Sequence, residues 1–430
     1  MEELGLTLIF LFVLFLLLGT GVWVAVSLIG VATVGMMLFT TRPVGDAMAT
    51  TIWGASSSWT LTALPLFIWM GEILFRSRLS ENLFKGLTPL TRKLPGGLLH
   101  VNIAGCTIFA AISGSSAATV ATVGKMSIPE LRRRNYPEKM IIGTLAGAGT
   151  LGLLIPPSIT LIIYGVTVNE SIARLFIAGV LPGLMLATLF MGYVAVWGLL
   201  HGSREESDDR TGRLSDVLQL IPILLLITAV MGSIYTGIAT ATEAAVLGVV
   251  GALVLSALQR SLTWDNFSQA LLGATRTSAM IAFILAGSTF LSLAMGFTGL
   301  PRSLALWIGD LHLSPWMLII ALTIFYIVLG CFLDGISSVV LTMAVIEPLV
   351  RQAGFDMIWF GIFLMVVVEM AQITPPVGFN LFVLQGMTGK DMAFIARAAA
   401  PMFLIMIVAV MLLSLFPEIA TFLPEAMSGR

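Results

Sequence analysis

Charged residues and cysteine are scarce in this 430-residue chain. Only 10% of its residues are charged, against roughly 25% in a typical soluble domain, and 58% are hydrophobic. The net charge of −1 offers no basic surface to nucleic acid. Cys106 and Cys331 lie far apart in apolar stretches without CxxC or histidine spacing, which argues against a disulfide framework or a zinc site. The composition excludes a soluble globular protein and predicts an integral membrane protein with no nucleic-acid partner.

Apolar runs follow one another along almost the whole chain, and a run of about 20 residues is enough for one helix to cross the bilayer. We predict membrane spans near residues 4–18, 21–40, 52–75, 140–165, 172–200, 217–235, 238–258, 277–297, 357–386 and 399–423. The sequence therefore predicts an all-α polytopic membrane protein.

The apolar run at 98–123 has basic residues on both sides. They are Arg76, Arg78, Lys85, Arg92 and Lys93 before it, and Lys125, Arg132, Arg133, Arg134 and Lys139 after it. Positive charge marks the cytoplasmic side of a membrane segment, so this run should enter and leave by the same face. We predict a re-entrant helical hairpin with its tip at residues 113–116. The same topology places both termini in the periplasm.

The second half of the chain repeats the order of the first: three spans, an amphipathic segment, a hairpin, a broken span and a final span. The second hairpin is predicted at about 314–350, and the amphipathic segments at 79–94 and 300–311. Five spans plus a hairpin give an odd number of crossings, so the halves should be inverted, as is typical of secondary transporters. We predict repeat 1 over 1–205, a cytoplasmic linker over 206–216 and repeat 2 over 217–430.

Each half contains two consecutive prolines inside an apolar span. Proline lacks an N–H and clashes with the carbonyl four residues before it. Pro156-Pro157 should therefore free the carbonyls of Gly152 and Leu153, and Pro375-Pro376 those of Ala371 and Gln372. A bare carbonyl in hydrocarbon costs several kcal/mol, so a cation is expected to bind there. The alternative is that the serines and glycines of the tips only allow close helix packing.

The hairpin tips supply hydroxyl groups opposite these unwound stretches. The candidates are Ser113, Ser115 and Ser116 opposite 152–157, and Ser337 and Ser338 opposite 371–376. The tips also offer helix N-termini, where an anion can bind beside the cations. The predicted substrate-binding residues are Ser116, Ser158, Ser338, Gly378 and Asn380. The carboxyl groups of Asp334 and Glu369 lie near the second predicted cation site, and either a functional or a structural role remains open for both.

Several motifs are similar to those of the large membrane subunit, of the DctM type, of tripartite ATP-independent periplasmic (TRAP) transporters. They are Gly114-Ser115-Ser116-Ala117-Ala118-Thr119, Ile128-Pro129-Glu130, the run from Gly149 to Ser158, Thr242-Glu243-Ala244-Ala245, and Ile373-Thr374-Pro375-Pro376-Val377-Gly378. The resemblance covers essentially the whole chain. It departs from the family at Ala241, where the Thr-Pro-Thr-Glu motif has proline.

The resemblance implies a sodium-driven importer of a small organic acid in a bacterial inner membrane. It implies a small membrane subunit of the DctQ type and a periplasmic substrate-binding protein of the DctP type as partners. It also implies an elevator mechanism, in which a transport domain slides against a scaffold, and at least two Na⁺ sites. One site would use Ser113, Gly114, Ser115 and Ser116 with carbonyls of Gly152, Ile155 and Pro157; the other would use Gly335, Ser337 and Ser338 with Ala371, Thr374 and Pro376.

Two other functions compete with this interpretation. A stand-alone sodium/anion symporter of the divalent-anion type shares hairpins and inverted repeats, but its usual Ser-Asn-Thr tips are absent. An intramembrane enzyme would need a catalytic set such as GxSG with histidine, paired aspartates or HExxH, and none of these occurs in the sequence. We therefore predict a transporter rather than an enzyme.

Overall fold

The computed structural model describes residues 2–201, 214–299, 314–331, 333–376 and 378–427, and every regular element in these ranges is a helix. Six helical segments among them are long and apolar enough to cross a membrane: Glu138–Val168, Ile172–His201, Ser215–Tyr235, Ala241–Leu258, Trp264–Thr298 and Met392–Leu415. Shorter apolar helices accompany them. The predicted all-α polytopic architecture is confirmed over the described residues.

The chain begins with six short helical elements. They are Glu2–Gly19, Val24–Phe39, Val44–Ser56, a 3-10 turn at Trp59–Thr62, Ala63–Phe75 and Leu79–Thr91. The prediction of one continuous span over 52–75 is wrong, because the helix stops at Ser56 and restarts at Ala63. Three consecutive serines occupy 56–58, and the hydroxyl of Ser57 donates to the carbonyl of Gly54 at 3.4 Å. Serine side chains compete with the backbone for its hydrogen bonds and favour helix ends.

The first hairpin consists of helices Leu99–Ser113 and Ser116–Arg133. Gly114 ends the first arm in the left-handed conformation, with φ of 58°. The second arm is longer than predicted and continues past residue 123 to Arg133. Near its end, Glu130 forms ion pairs with Arg133 and Arg134. The first broken helix follows as Glu138–Gly149, Leu151–Leu154 and Ile159–Val168, and then comes Ile172–His201.

The second half begins with a 3-10 turn. Its elements are Leu214–Leu220, Ile221–Tyr235, Ala241–Leu258, Trp264–Thr298, the hairpin Pro315–Gly330 and Gly335–Gln352, the broken helix Met357–Gln372 and Phe379–Thr388, then Met392–Leu415 and Glu418–Met427. The predicted span 277–297 starts earlier, because Thr263 caps a longer helix by accepting from the amide of Asn266 at 3.2 Å. The amphipathic segment 300–311 and linker residues 206–213 lie outside the described residues, and the repeat boundaries stay predictions.

The two halves exchange contacts in a reciprocal way. Val24–Phe39 packs on Trp264–Thr298, and Ala241–Leu258 packs on Ala63–Phe75, so the second span of each half contacts the third span of the other. The helix after each break also contacts the opposite half, at the second arm of its hairpin. Ile159–Val168 contacts the second arm of the second hairpin, and Phe379–Thr388 contacts the second arm of the first. Such exchange is expected of two repeats related by a pseudo-two-fold axis. The direction in which each half crosses the membrane stays a prediction.

Candidate functional site

The tip of the first hairpin lies directly against the first helix break. A Cβ atom on Gly152 would lie 2.6 Å from the Ser116 amide nitrogen and 2.7 Å from the Ser115 carbonyl oxygen. A Cβ on Gly114 would lie 2.8 Å from the carbonyl oxygen of Pro157. The amide of Ile159 donates to the Gly114 carbonyl at 3.4 Å. The structure therefore brings the predicted residues of the first tip and the first break together, with several backbone oxygens between them.

Hydroxyl groups stabilise the first tip from within. The side-chain oxygens of Ser113 and Thr119 lie 2.8 Å apart, and the Thr119 hydroxyl donates to the carbonyl of Ser115 at 2.7 Å. The Ser115 hydroxyl accepts from the amide of Ala118 at 3.5 Å, which caps the second arm. Because a fixed loop presents its oxygens in one arrangement, this network suits a site that binds a small ion.

The second tip meets the second break in a similar way. The Cys331 thiol donates to the carbonyl of Pro375 at 3.4 Å, and the Gln372 side-chain amide donates to the carbonyl of Leu333 at 3.3 Å. A Cβ on Gly330 would lie 2.5 Å from the Cβ of Ala371 and 3.8 Å from the Ser338 hydroxyl oxygen. Both halves thus place a hairpin tip on their own Pro-Pro break, and in both breaks the Pro-Pro bond is cis.

One backbone expectation at the second break is wrong. The carbonyl of Ala371 is not freed by the prolines, because it accepts from the Thr374 amide at 3.1 Å in a tightened last turn. The Thr374 hydroxyl donates to the carbonyl of Met370 at 2.7 Å. Gly378 has a positive φ of 47°, and a Cβ there would lie 2.7 Å from the Thr374 oxygen and 3.1 Å from the Gln372 oxygen. Only glycine suits this position, where two carbonyls converge on the backbone.

The expectation that the first amides of the second arm are free is also wrong. The Asp334 carboxylate accepts from the amides of Ile336 at 3.1 Å and Ser337 at 3.3 Å, so it caps the second arm itself. Ser158 likewise caps the helix after the first break, since its hydroxyl accepts from the Leu161 amide at 3.3 Å. Asp334 therefore has a structural role and places a negative charge at the tip. Because this charge repels anions, an anionic substrate can bind near the second tip only if a positive group lies close by.

Both tips line one cavity with a volume of about 2140 Å³. The tips contribute residues 113–116 and 334–337, and Leu153 and Gln372 contribute from the two breaks. The opposite wall comes from the first spans and from Trp264–Thr298, and it includes the turn at Gly21, Glu72 and Arg276. Ligand cavities in proteins commonly have a volume of about 300–1,000 Å³. This cavity has room for a small organic acid with water.

Several predicted site residues carry buried polar atoms without a hydrogen-bond partner in the described part of the chain. They are the Ser338 hydroxyl and both amide atoms of Asn380, and these two residues are 0% exposed. Each such group costs about 1–3 kcal/mol of stability. An ion or a substrate that pairs with them recovers part of that cost. The chemistry of these residues therefore fits a bound cation coordinated by oxygen, beside a polar substrate.

One residue of this region, Arg276, was not predicted from the sequence, and the role of a second, Glu369, was left open. Arg276 lines the cavity from the third span of the second half, and it makes no ion pair within the described ranges. A single arginine in a long apolar helical run is the signal that could have identified it. Glu369 is completely buried, and its carboxylate faces the Ser116 hydroxyl. Glu72, which also lines the cavity, pairs with Arg76 at 3.2 Å. Among the described residues, Arg276 therefore contributes a positive charge to the cavity wall without an ion-pair partner.

Comparison with known proteins identifies the family. The sequence profile described as "Tripartite ATP-independent periplasmic transporter, DctM component" matches residues 11–419. The C4-dicarboxylate TRAP transporter large permease protein DctM of Pseudomonas aeruginosa is 33% identical over 383 residues, which cover 88% of this chain and 89% of that protein. The isethionate TRAP transporter permease protein DctMQ of Oleidesulfovibrio alaskensis is 29% identical over 414 residues, 96% of this chain and 65% of that protein.

A solved structure shares the fold. The crystal structure of the Alcanivorax borkumensis YdaH transporter aligns with a TM-score of 0.64 and 13% sequence identity, and the alignment covers 92% of this chain and 96% of that one. This likeness concerns the fold alone. The relatives are named as transporter permeases rather than enzymes. The profile match over nearly the whole length shows that the chain belongs to the DctM family, the large permease component of tripartite ATP-independent periplasmic transporters.

Proposed function

We propose that this chain is the large subunit of a sodium-coupled importer that moves a small organic acid across a bacterial inner membrane, with both termini in the periplasm. The main observation in support of this proposal is that two hairpin tips, each packed on a Pro-Pro break, line a single cavity. Interrupted helices at the interface of two repeats bind coupling ions in secondary transporters. The orphaned oxygen of Ser338 supports a cation at the second tip.

The substrate is a small organic anion. Two relatives are named for C4-dicarboxylate and isethionate, which are both small acids. Arg276 gives the cavity a positive group for a carboxylate, and the bound cations neutralise Asp334 at the second tip. On the predicted topology the turn at Gly21 faces the cytoplasm. The cavity then reaches from the tips towards the side on which an importer releases its substrate.

The partners are a DctQ-type small membrane subunit and a DctP-type periplasmic binding protein. The family description names a tripartite periplasmic transporter, which supports three components. This chain spans 65% of the protein named DctMQ, so that relative carries further sequence outside the shared part.

The packing of the helices supports an elevator mechanism. Val24–Phe39, Ala63–Phe75, Ala241–Leu258 and Trp264–Thr298 pack on one another and form the proposed scaffold. The hairpins and broken helices pack on each other and on Met392–Leu415, and they form the proposed transport domain. Movement of the second group against the first would carry both tips, and the substrate between them, as one body.

Uptake into proteoliposomes tests the proposal. Vesicles that contain this chain with its small subunit should accumulate a radiolabelled organic acid only with an inward Na⁺ gradient and the cognate binding protein. Equal uptake with Na⁺ absent on both sides would refute sodium coupling. Equal uptake without the binding protein would favour the stand-alone sodium/anion symporter instead.

A further inference from the structure

Glu369 is a fully buried carboxylate between the two halves of the molecule. It lies in Met357–Gln372, and every residue of this helix is buried. Its exposed fraction is 0%, and neither carboxylate oxygen has a hydrogen bond of ordinary geometry within the described ranges. The polar group that it faces is the hydroxyl of Ser116. The carboxylate of the second half therefore points at the tip of the first.

The neighbours of Glu369 belong to both tips. Ser116 and Ser115 lie against Gly152 of the first break. Val368, the residue before Glu369, packs near the second tip, since a Cβ on Gly335 would lie 3.2 Å from its Cγ1 atom. Glu369 thus lies beside the oxygen-rich contact of the first tip and close to the start of the second tip.

A buried carboxylate without a partner is unfavourable, because no water or donor replaces its solvation. No arginine, lysine or histidine of the described residues forms an ion pair with Glu369. The contact between the first tip and its break supplies the Ser116 hydroxyl, which Glu369 faces, and the carbonyl oxygens of Ser115 and Pro157, all of the kind that bind hard cations. A cation there would satisfy both the carboxylate and these neutral oxygens.

We propose that Glu369 supplies the negative charge of the cation site at the first hairpin tip, so that the ion bound by one half is neutralised by the other. This role rests on the proposed sodium coupling. It makes the bound ion a link between the two repeats, because the ion contacts the first tip and the carboxylate of the second broken helix together. It also gives a role to an acid that lies in a completely buried and largely apolar helix.

Sodium-dependent thermal unfolding of the purified full-length protein tests this role. The protein is titrated with NaCl against choline chloride at constant total salt, and the unfolding temperature is measured. The variant Glu369→Gln should need at least about tenfold more Na⁺ for half of the maximal stabilisation. In Na⁺-free buffer the same variant should unfold at an equal or higher temperature than the wild type, because the amide removes an unpaired buried charge.

Two further variants make the test decisive. Glu369→Met preserves volume without polarity, and it should lose the sodium response at the first site while folding as well as the wild type in Na⁺-free buffer. The control Glu347→Gln alters a carboxylate that already pairs with Arg351 at 2.9 Å, and it should keep the wild-type sodium midpoint.

The outcomes separate this role from the proposed function. Wild-type sodium midpoints in both Glu369 variants would overturn the role of Glu369 and leave sodium coupling intact. Lower stability of both variants in Na⁺-free buffer, with an unchanged sodium response, would mean that Glu369 is a neutral structural acid, and would also overturn it. A wild-type protein that shows no stabilisation by Na⁺ would overturn the sodium coupling and this role together.

Discussion

Single polar atoms, rather than charged clusters, distinguish the candidate site. Within the described ranges the Ser338 hydroxyl is buried without a partner, whereas the Ser288 hydroxyl, near the same hairpin, donates to the carbonyl of Val340 at 2.7 Å. A paired hydroxyl contributes to the stability of the fold. A buried unpaired one lowers stability, so its presence in a packed interior indicates a ligand.

Alanine variants of Ser338 and Ser288 should therefore differ in opposite ways in their sodium midpoint and their stability. Ser338→Ala should raise the Na⁺ concentration for half-maximal stabilisation by about threefold to tenfold, because one neutral oxygen ligand is lost. In Na⁺-free buffer its unfolding temperature should equal or exceed that of the wild type, because an unpaired buried hydroxyl is removed. The matched variant Ser288→Ala should lower the free energy of unfolding by about 1 kcal/mol and keep the sodium midpoint. Thermal unfolding with and without Na⁺ measures both. A sodium midpoint that moves in Ser288→Ala but not in Ser338→Ala would place the ligand elsewhere.

At the scale of elements, the proposed ion sites lie where each hairpin tip contacts its break. Gly152 has no room for a side chain, since a Cβ would lie 2.6 Å from a backbone nitrogen of the first tip. Gly192, in the middle of the long helix Ile172–His201, has no atom within 4 Å of the same position. The two glycines share a helical backbone and differ in this contact.

Gly152→Ala should push the tip away from the break, lower the free energy of unfolding by about 1–3 kcal/mol through overpacking, and weaken the sodium response. Gly192→Ala should leave the sodium response unchanged and stabilise the helix by up to about 1 kcal/mol, because alanine favours helix more than glycine. Thermal unfolding and sodium-driven uptake are the measurements. Full sodium-driven uptake by Gly152→Ala would show that transport does not need this close contact.

At the scale of the whole molecule, a cavity joins the two tips to the proposed scaffold. Arg276 lies on the scaffold wall, while Asp334 lies at the second tip. A positive group on one wall and a capped, negative tip on the other define where an anion can bind. Charge-assisted hydrogen bonds to arginine are stronger than neutral ones, so Arg276 should matter more to affinity than the serines do.

Arg276→Gln should raise the KM for the transported acid by about tenfold with a smaller change in maximal uptake, because a charged hydrogen bond contributes about 1.5–3 kcal/mol. The control Arg260→Gln removes an exposed arginine that does not line the cavity, and its KM should stay at the wild-type value. Uptake at varied solute concentration measures both. An unchanged KM in Arg276→Gln would remove this residue from the path of the substrate.

Much of the architecture follows from local chemistry that can be read along the chain. Apolar runs predict the helices, Gly114 allows the reversal of the first hairpin, and a Pro-Pro pair interrupts the helix that follows each hairpin. These residues act on the backbone within one or two turns of their own position. One local prediction was still wrong, because the carbonyl of Ala371 accepts a hydrogen bond from the Thr374 amide in a tightened turn.

Contacts between the halves could not be read in this way. Glu369 faces Ser116, and Arg276 enters the cavity wall, only because helices distant in sequence pack together. Hydrophobic periodicity shows that a helix is buried but not which helix covers it. Backbone sterics, which are local, thus specify the tips and the breaks, whereas packing between remote helices sets the charges that surround them.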